Sequence, residues 1–146
     1  MSNPFESSSF YAIPTGLHPD INITGENQKG LVVVYRSEKS QKEAKLFLEK
    51  IVSAIKMDPD RDAKFIYLPP KHSISLFSMN IEPINQILLF GISPAEIGIH
   101  ILFETYTNFP VQKSRLFVCH SVDLLAENVE LKKGLWTKLQ NIFGLS

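Results

Sequence analysis

The sequence predicts an α/β protein with three layers, helices on both faces of a mainly parallel sheet of four or five strands. Three observations predict it. Leu31–Val32–Val33–Val34–Tyr35 is a continuous apolar, β-branched run, the pattern of a strand buried on both faces. Ala44, Phe47, Leu48, Ile51, Val52 and Ile55 follow at the spacing of one helical face. Phe65–Ile66–Tyr67–Leu68 then reads as a second strand, so a right-handed strand–helix–strand crossover is the default.

The elements follow in order. Residues 1–28 hold Pro4, Pro14, Pro19, Gly16, Gly25 and three consecutive serines. They read as an N-terminal arm with apolar islands at Phe5 and at Phe10–Tyr11–Ala12–Ile13. Residues 29–146 form the single α/β domain. Ser40-Gln41-Lys42-Glu43 is a capping box ahead of the first helix, and Asp58-Pro59 stops that helix. Pro69–Pro70 closes the second strand. Ile74, Leu76, Phe77 and Met79 suggest a short, weak helix.

Gln86–Ile87–Leu88–Leu89–Phe90 is a third strand. Ser93-Pro94-Ala95-Glu96 is a second capping box with proline in the first turn, and Gly98 keeps the helix it opens short. Residues 99–113 leave alternatives open: Ile99, Ile101 and Phe103 alternate like a strand, and Phe109 and Val111 suggest the start of another. Leu116–Phe117–Val118–Cys119 is a further strand, and residues 121–127 read as a turn of helix. Asn128 caps the last helix, on which Leu131, Leu135, Leu139, Ile142 and Phe143 share a face, with Lys132, Lys133 and Lys138 away from it.

Composition excludes several functions. Lys plus Arg and Asp plus Glu are 15 each, a balance unsuited to broad phosphate-backbone binding, so no strong nucleic-acid binding is expected. Cys119 is the one cysteine, which rules out an intramolecular disulfide. MSNPFESSSF lacks a basic n-region and an apolar h-region, so a secretory leader is not expected. No apolar run approaches the ~20 residues of a membrane helix. The expected setting is cytoplasmic, with no membrane contact.

Few residues offer chemistry. The loop after the first strand, Arg36-Ser37-Glu38-Lys39-Ser40, is where an open α/β sheet binds ligands. It has neither GxGxxG nor a Walker lysine, and Glu38 and Glu43 oppose a phosphate. His18, His72, His100 and His120 show no metal-pair spacing. Cys119 and His120 are neighbours, which on a strand face opposite ways, so they make a poor nucleophile pair. Glu82, Glu96, Glu104, Asp123, Glu127 and Glu130 are scattered and read as surface and capping groups. No catalytic residue, cofactor site or metal site is expected, and the chain is expected not to be an enzyme. Trp136 borders the apolar stripe of the last helix. The pattern favours core packing, with an interface anchor flanked by lysines as the alternative.

The order of these features resembles the psi subunit family of bacterial DNA polymerase III, as a divergent member. The segments that carry the resemblance are LVVVY with its amphipathic helix, the strand after the Asp-Pro turn, ILLFGISPAEIG, and the tail CHSVDLLAENVELKKGLWTKL. The tail is the most specific, with Ser121, Leu124, Leu125, Asn128, Lys132, Leu135 and Trp136 in the family's order. The match covers about residues 31–143.

The resemblance implies a non-catalytic DNA-replication accessory protein that joins the clamp loader to a chi subunit. Its expected partners are clamp-loader ATPase subunits and, where one exists, a chi-like subunit. It also implies a fold similar to uracil-DNA glycosylase. An N-terminal extension engages the clamp loader in that family, which makes Phe10, Tyr11 and Ile13 candidate anchors beside Trp136. The same fold supplies a rival, an active or inactive glycosylase-like or nucleotide-binding domain. His120–Ser121 echoes the glycosylases' last motif, but residues 35–40 lack their first. A third alternative is an interaction domain with an unrelated partner on the same scaffold.

Overall fold

The computed structural model describes residues 20–144. Its centre is a six-stranded mixed sheet in the order β1-β3-β2-β4-β6-β5. The strands are β1 (Asn22–Thr24), β2 (Leu31–Tyr35), β3 (Ala63–Tyr67), β4 (Gln86–Phe90), β5 (Asn108–Val111) and β6 (Ser114–Cys119). β3, β2, β4 and β6 run parallel, and an antiparallel strand closes each edge. β2 is central and all five of its residues are buried. Its neighbours pair in register, with Val33 opposite Phe65 on one side and Leu88 on the other.

The two faces are covered differently. Leu31, Val33, Tyr35, Phe65, Leu88 and Phe117 pack against three helices, α1 (Gln41–Ala54), α2 (Val122–Glu127) and α3 (Val129–Ile142). Val32, Val34, Ile66, Ile87, Leu89 and Leu116 face the other way, under Ile74, Leu76, Ile81, Ile92, Ile97 and Ile99. A common right hand explains the division. β2 to β3 steps one way across the sheet, whereas β3 to β4 and β4 to β6 step the other way. Connections of one hand that step in opposite directions must pass over opposite faces.

Two expectations need correction, and one stretch left open by the sequence is resolved. The sheet has six strands, not four or five, because both edge strands lack a strong pattern. β1 is three residues long, and β5 contains Pro110, which an edge strand tolerates because one side of it needs no ladder donor. The second outer layer holds no α-helix among the described residues. Short 3-10 turns, Leu76–Ser78 and Pro94–Ile97, and their flanking loops take its place. Residues 99–107 form no strand despite their alternation. Ile101, Leu102 and Phe103 are exposed there instead of being paired.

Within the stretch read as an arm, residues 1–19 lie outside the described residues. Residues 22–24 pair with β3, and the chain after them is stitched to the segment before β3. Glu26 N–H donates to Asp60 O at 2.8 Å, Gln28 N–H to Arg61 O at 2.8 Å and Lys29 N–H to Asp62 O at 3.1 Å.

Side chains set the helix ends. Ser40 Oγ accepts the Glu43 N–H at 3.2 Å and so caps α1. Ser40's own N–H donates to Ser37 Oγ at 3.2 Å, so Ser37 stands where the predicted box would put Glu43. Glu96 accepts from Ser93 N–H at 2.9 Å and fixes the turn at 94–97, which ends at Gly98. Ser121 caps α2 and Asn128 caps α3 through its Oδ1, which accepts the Leu131 N–H at 3.1 Å.

Candidate functional site

Two concave surfaces stand out. The first lies at the carboxyl ends of the parallel strands. β2 leads to β3 on one side and β4 sits on its other side, which creates the switch point where open α/β sheets hold ligands. The crevice there has a volume of about 450 Å3 and is lined by Arg36, Ser37, Glu38 and Lys39 after β2, Gly91 after β4, and Ser121, Asp123 and Glu127 after β6. Gly91 has φ +74°, and a Cβ on it would stand 2.9 Å from Ser121 Cβ, so only glycine lets these two strand ends approach.

The polar groups of this crevice are largely spent on one another. Ser37 Oγ donates to Asp123 Oδ1 at 2.7 Å, and Glu38 N–H donates to Asp123 Oδ2 at 2.9 Å. Ser37 Oγ also accepts the Lys39 N–H at 3.2 Å. Arg36 reaches Glu96 at 2.9 Å and donates to the carbonyls of Leu68 and Pro69 at 3.0 and 3.2 Å. Lys39 pairs with Glu127. Tyr67 OH donates to Ser37 O at 3.2 Å. The result is a latch between the first loop and α2, residues 86 positions apart in the chain.

Electrostatics agree with that geometry. Burial alone would raise the Asp123 carboxyl, but the Glu38 N–H, the Ser37 hydroxyl and Lys39 outweigh it and hold it below its ordinary range. Burial likewise opposes ionisation of Glu96, and the Ser93 N–H and Arg36 reverse the sign, leaving that carboxyl lowered too. A lowered folded-state pKa contributes stability above the unfolded value, about 4 for carboxylates, and that stability is lost as pH falls through the folded value. The expected result is a loss of stability as acid is added below about pH 4, with a shallower dependence in Asp123→Asn, read by thermal melts across pH. Ser37→Ala strips one donor and two backbone acceptances, and should cost about 1–3 kcal/mol in a denaturant titration.

The residues singled out for chemistry sit apart from this crevice or serve the frame. Cys119 is buried on the helix-covered face, and burial pushes its thiol up, away from the nucleophilic thiolate. His120 Nδ1 meets Tyr106 OH at 2.7 Å, and the two ring centroids are 5.1 Å apart. Tyr106 also packs on Phe117 at 5.7 Å. Ser121, the other half of the glycosylase echo, caps α2. Neither Tyr106 nor the Ser37–Asp123 pair was visible in the sequence, since no local spacing joins their partners. Among the described residues no group of three or more His, Cys, Asp or Glu side chains converges as a metal site would require.

The second concave surface is a groove of about 500 Å3 between α1 and α3. Phe47, Ile51 and Ala54 form one wall; Val129, Leu135, Trp136 and Leu139 form the other; Lys50, Lys132 and Lys133 border it. Amphipathic spacing explains it. α1 and α3 each bury one stripe in the common core and leave flanking apolar residues facing each other. Trp136 is half-buried: one part of the ring packs on the core cluster and the rest is open to the groove. The ring is therefore neither wholly core nor wholly surface. Trp136→Ala should cost about 2 kcal/mol, between the loss for a fully buried ring and that for a surface residue. Phe10, Tyr11 and Ile13 lie outside the described residues.

No family model, curated protein or solved structure matches the chain. Among the described residues no helix is long and apolar enough to cross a membrane.

Proposed function

We propose that this protein is a non-catalytic adaptor, a DNA-replication accessory resembling the psi subunit of the DNA polymerase III clamp-loader complex, and that it works in the cytoplasm. The observation that carries the adaptor reading is the α1–α3 groove. It offers an aromatic ring and several aliphatic side chains at a helix–helix junction, the chemistry of an interface anchor. The crevice at the strand ends supports the same reading from the other side, since Asp123 and Arg36 are already engaged there. The psi assignment and the uracil-DNA-glycosylase-like fold rest on the sequence resemblance, with which the α/β architecture is compatible.

Affinity capture with the full chain at physiological salt tests the reading. Recovery of clamp-loader ATPase subunits is the expected outcome, and their absence contradicts it. Deleting residues 2–19, which leaves β1 in place, should abolish recovery without lowering the melting temperature if Phe10, Tyr11 and Ile13 are the contact.

One observation favours a second reading, a glycosylase-like or nucleotide-binding domain: the crevice occupies the switch point where such domains bind. Incubation with uracil-containing single strands separates the two. Release of free base would establish the enzyme, and intact strands are expected.

A further inference from the structure

The α1–α3 groove has a feature beyond its apolarity: its charge is one-sided. Lys50 from α1 and Lys132 and Lys133 from α3 border it, and among the described residues no carboxylate lines it. In a chain with 15 basic and 15 acidic residues, such a border is a local departure from balance. Glu130 stands 3.9 Å from Lys133, and both side chains are so exposed that the pair is weakly held. Between the lysines the lining is apolar, with Leu135 and Leu139 buried and the Trp136 ring partly open.

A groove whose lining comes from two helices can take a third. A helix laid into such a groove inserts apolar residues at i, i+3, i+4 and i+7 and turns its flanks toward the rim. With lysines on the rim, the flanks that fit are glutamate and aspartate. We infer that this groove docks an acidic amphipathic helix from a partner protein, its bulky apolar side chains seated against Trp136 and its carboxylates against Lys50, Lys132 and Lys133. The inference rests on the adaptor reading and adds the chemistry of what is bound. The chain's own residues 1–19 are a poorer match, since Glu6 is their only acidic residue.

The probe is a fluorescein-labelled helix-forming peptide of about 15 residues, long enough to populate helix on docking, with leucines on one face and glutamates elsewhere. A second peptide replaces every glutamate by lysine. Fluorescence anisotropy against the full chain should show the acidic peptide binding, with affinity falling as salt rises, and the basic peptide not binding. The triple variant K50E/K132E/K133E should weaken the acidic peptide at least about tenfold and favour the basic one. These lysines lie on the rim, so the variant should melt within a few degrees of wild type, which is checked alongside. Equal binding of both peptides, or an unchanged affinity in the triple variant, overturns the inference. Competition by a peptide of residues 1–19 at least as strong as by the acidic peptide also overturns it, because the groove would then belong to the arm.

The outcomes separate from those of the adaptor reading. Clamp-loader subunits recovered equally by wild type and K50E/K132E/K133E would leave the adaptor standing and remove the groove. Acidic-peptide binding without clamp-loader recovery would keep the groove and remove the replication partner.

Discussion

Leu139→Ala should lower the unfolding free energy by about 3 kcal/mol, among the largest effects of any single truncation here. Leu139 is fully buried on α3 and belongs to the core cluster shared with Leu48, Val52, Leu88 and Phe117. Truncation removes three side-chain carbons from that cluster. It also leaves a void, which the rigid sheet beneath cannot close. The loss stays near the middle of the Leu→Ala range because the site borders the groove, where Phe47 and Trp136 have room to settle inward. A urea titration should show a lower midpoint at an unchanged slope. For a domain of this size the melting temperature should drop roughly 10 °C. Leu124→Ala is the control. Leu124 is 43% exposed on α2, and its loss should cost under about 0.5 kcal/mol.

Gly25→Ala should be destabilising by about 2–4 kcal/mol, through backbone alone. Gly25 has φ +101°, a conformation that L side chains rarely adopt. A Cβ there would stand 2.3 Å from the Ala63 carbonyl oxygen, an impossible approach to an atom fixed in β3. The substitution must push β1 off the sheet edge and break the stitching from Glu26 to Lys29. Hydrogen exchange should show the loss concentrated in residues 22–29 and in β3. Gly134→Ala is the contrasting change. Gly134 lies inside α3, where a methyl group would meet nothing within 4 Å, so alanine should stabilise by about 0.5–1 kcal/mol.

The parts of this fold that are legible in the sequence are those whose pattern is local. The run 31–35 is apolar throughout because β2 lies between two layers, and that alone locates the sheet's centre. Ser40, Ser121 and Asn128 announce their helices because a cap acts within three residues. What the local pattern does not show depends on distant partners. β1 is a run of three residues, none of them buried, whose only reason to be extended is β3. Residues 99–103 alternate like a strand, but among the described residues no strand pairs with them.

The candidate site divides in the same way. Trp136 and the lysines around it are visible as the edge of a helical stripe, whereas their pairing with Phe47 and Ile51 arises only when α1 and α3 pack. The Ser37–Asp123 latch has no local signature at all, because it joins the loop after the first parallel strand to the helix after the last. The Arg36 loop is legible as the usual ligand position. Its engagement with Glu96, Leu68 and Pro69 is tertiary.

That the chain acts through the α1–α3 face is tested most directly by comparing wild type and Trp136→Ala as baits for clamp-loader ATPase subunits, with the melting temperature of each measured in parallel. Recovery by wild type and a loss equivalent to about 2 kcal/mol or more in Trp136→Ala, with the domain still folded, is the result predicted for an anchor at the centre of an interface. Equal recovery by the two proteins, or recovery by neither, would contradict it.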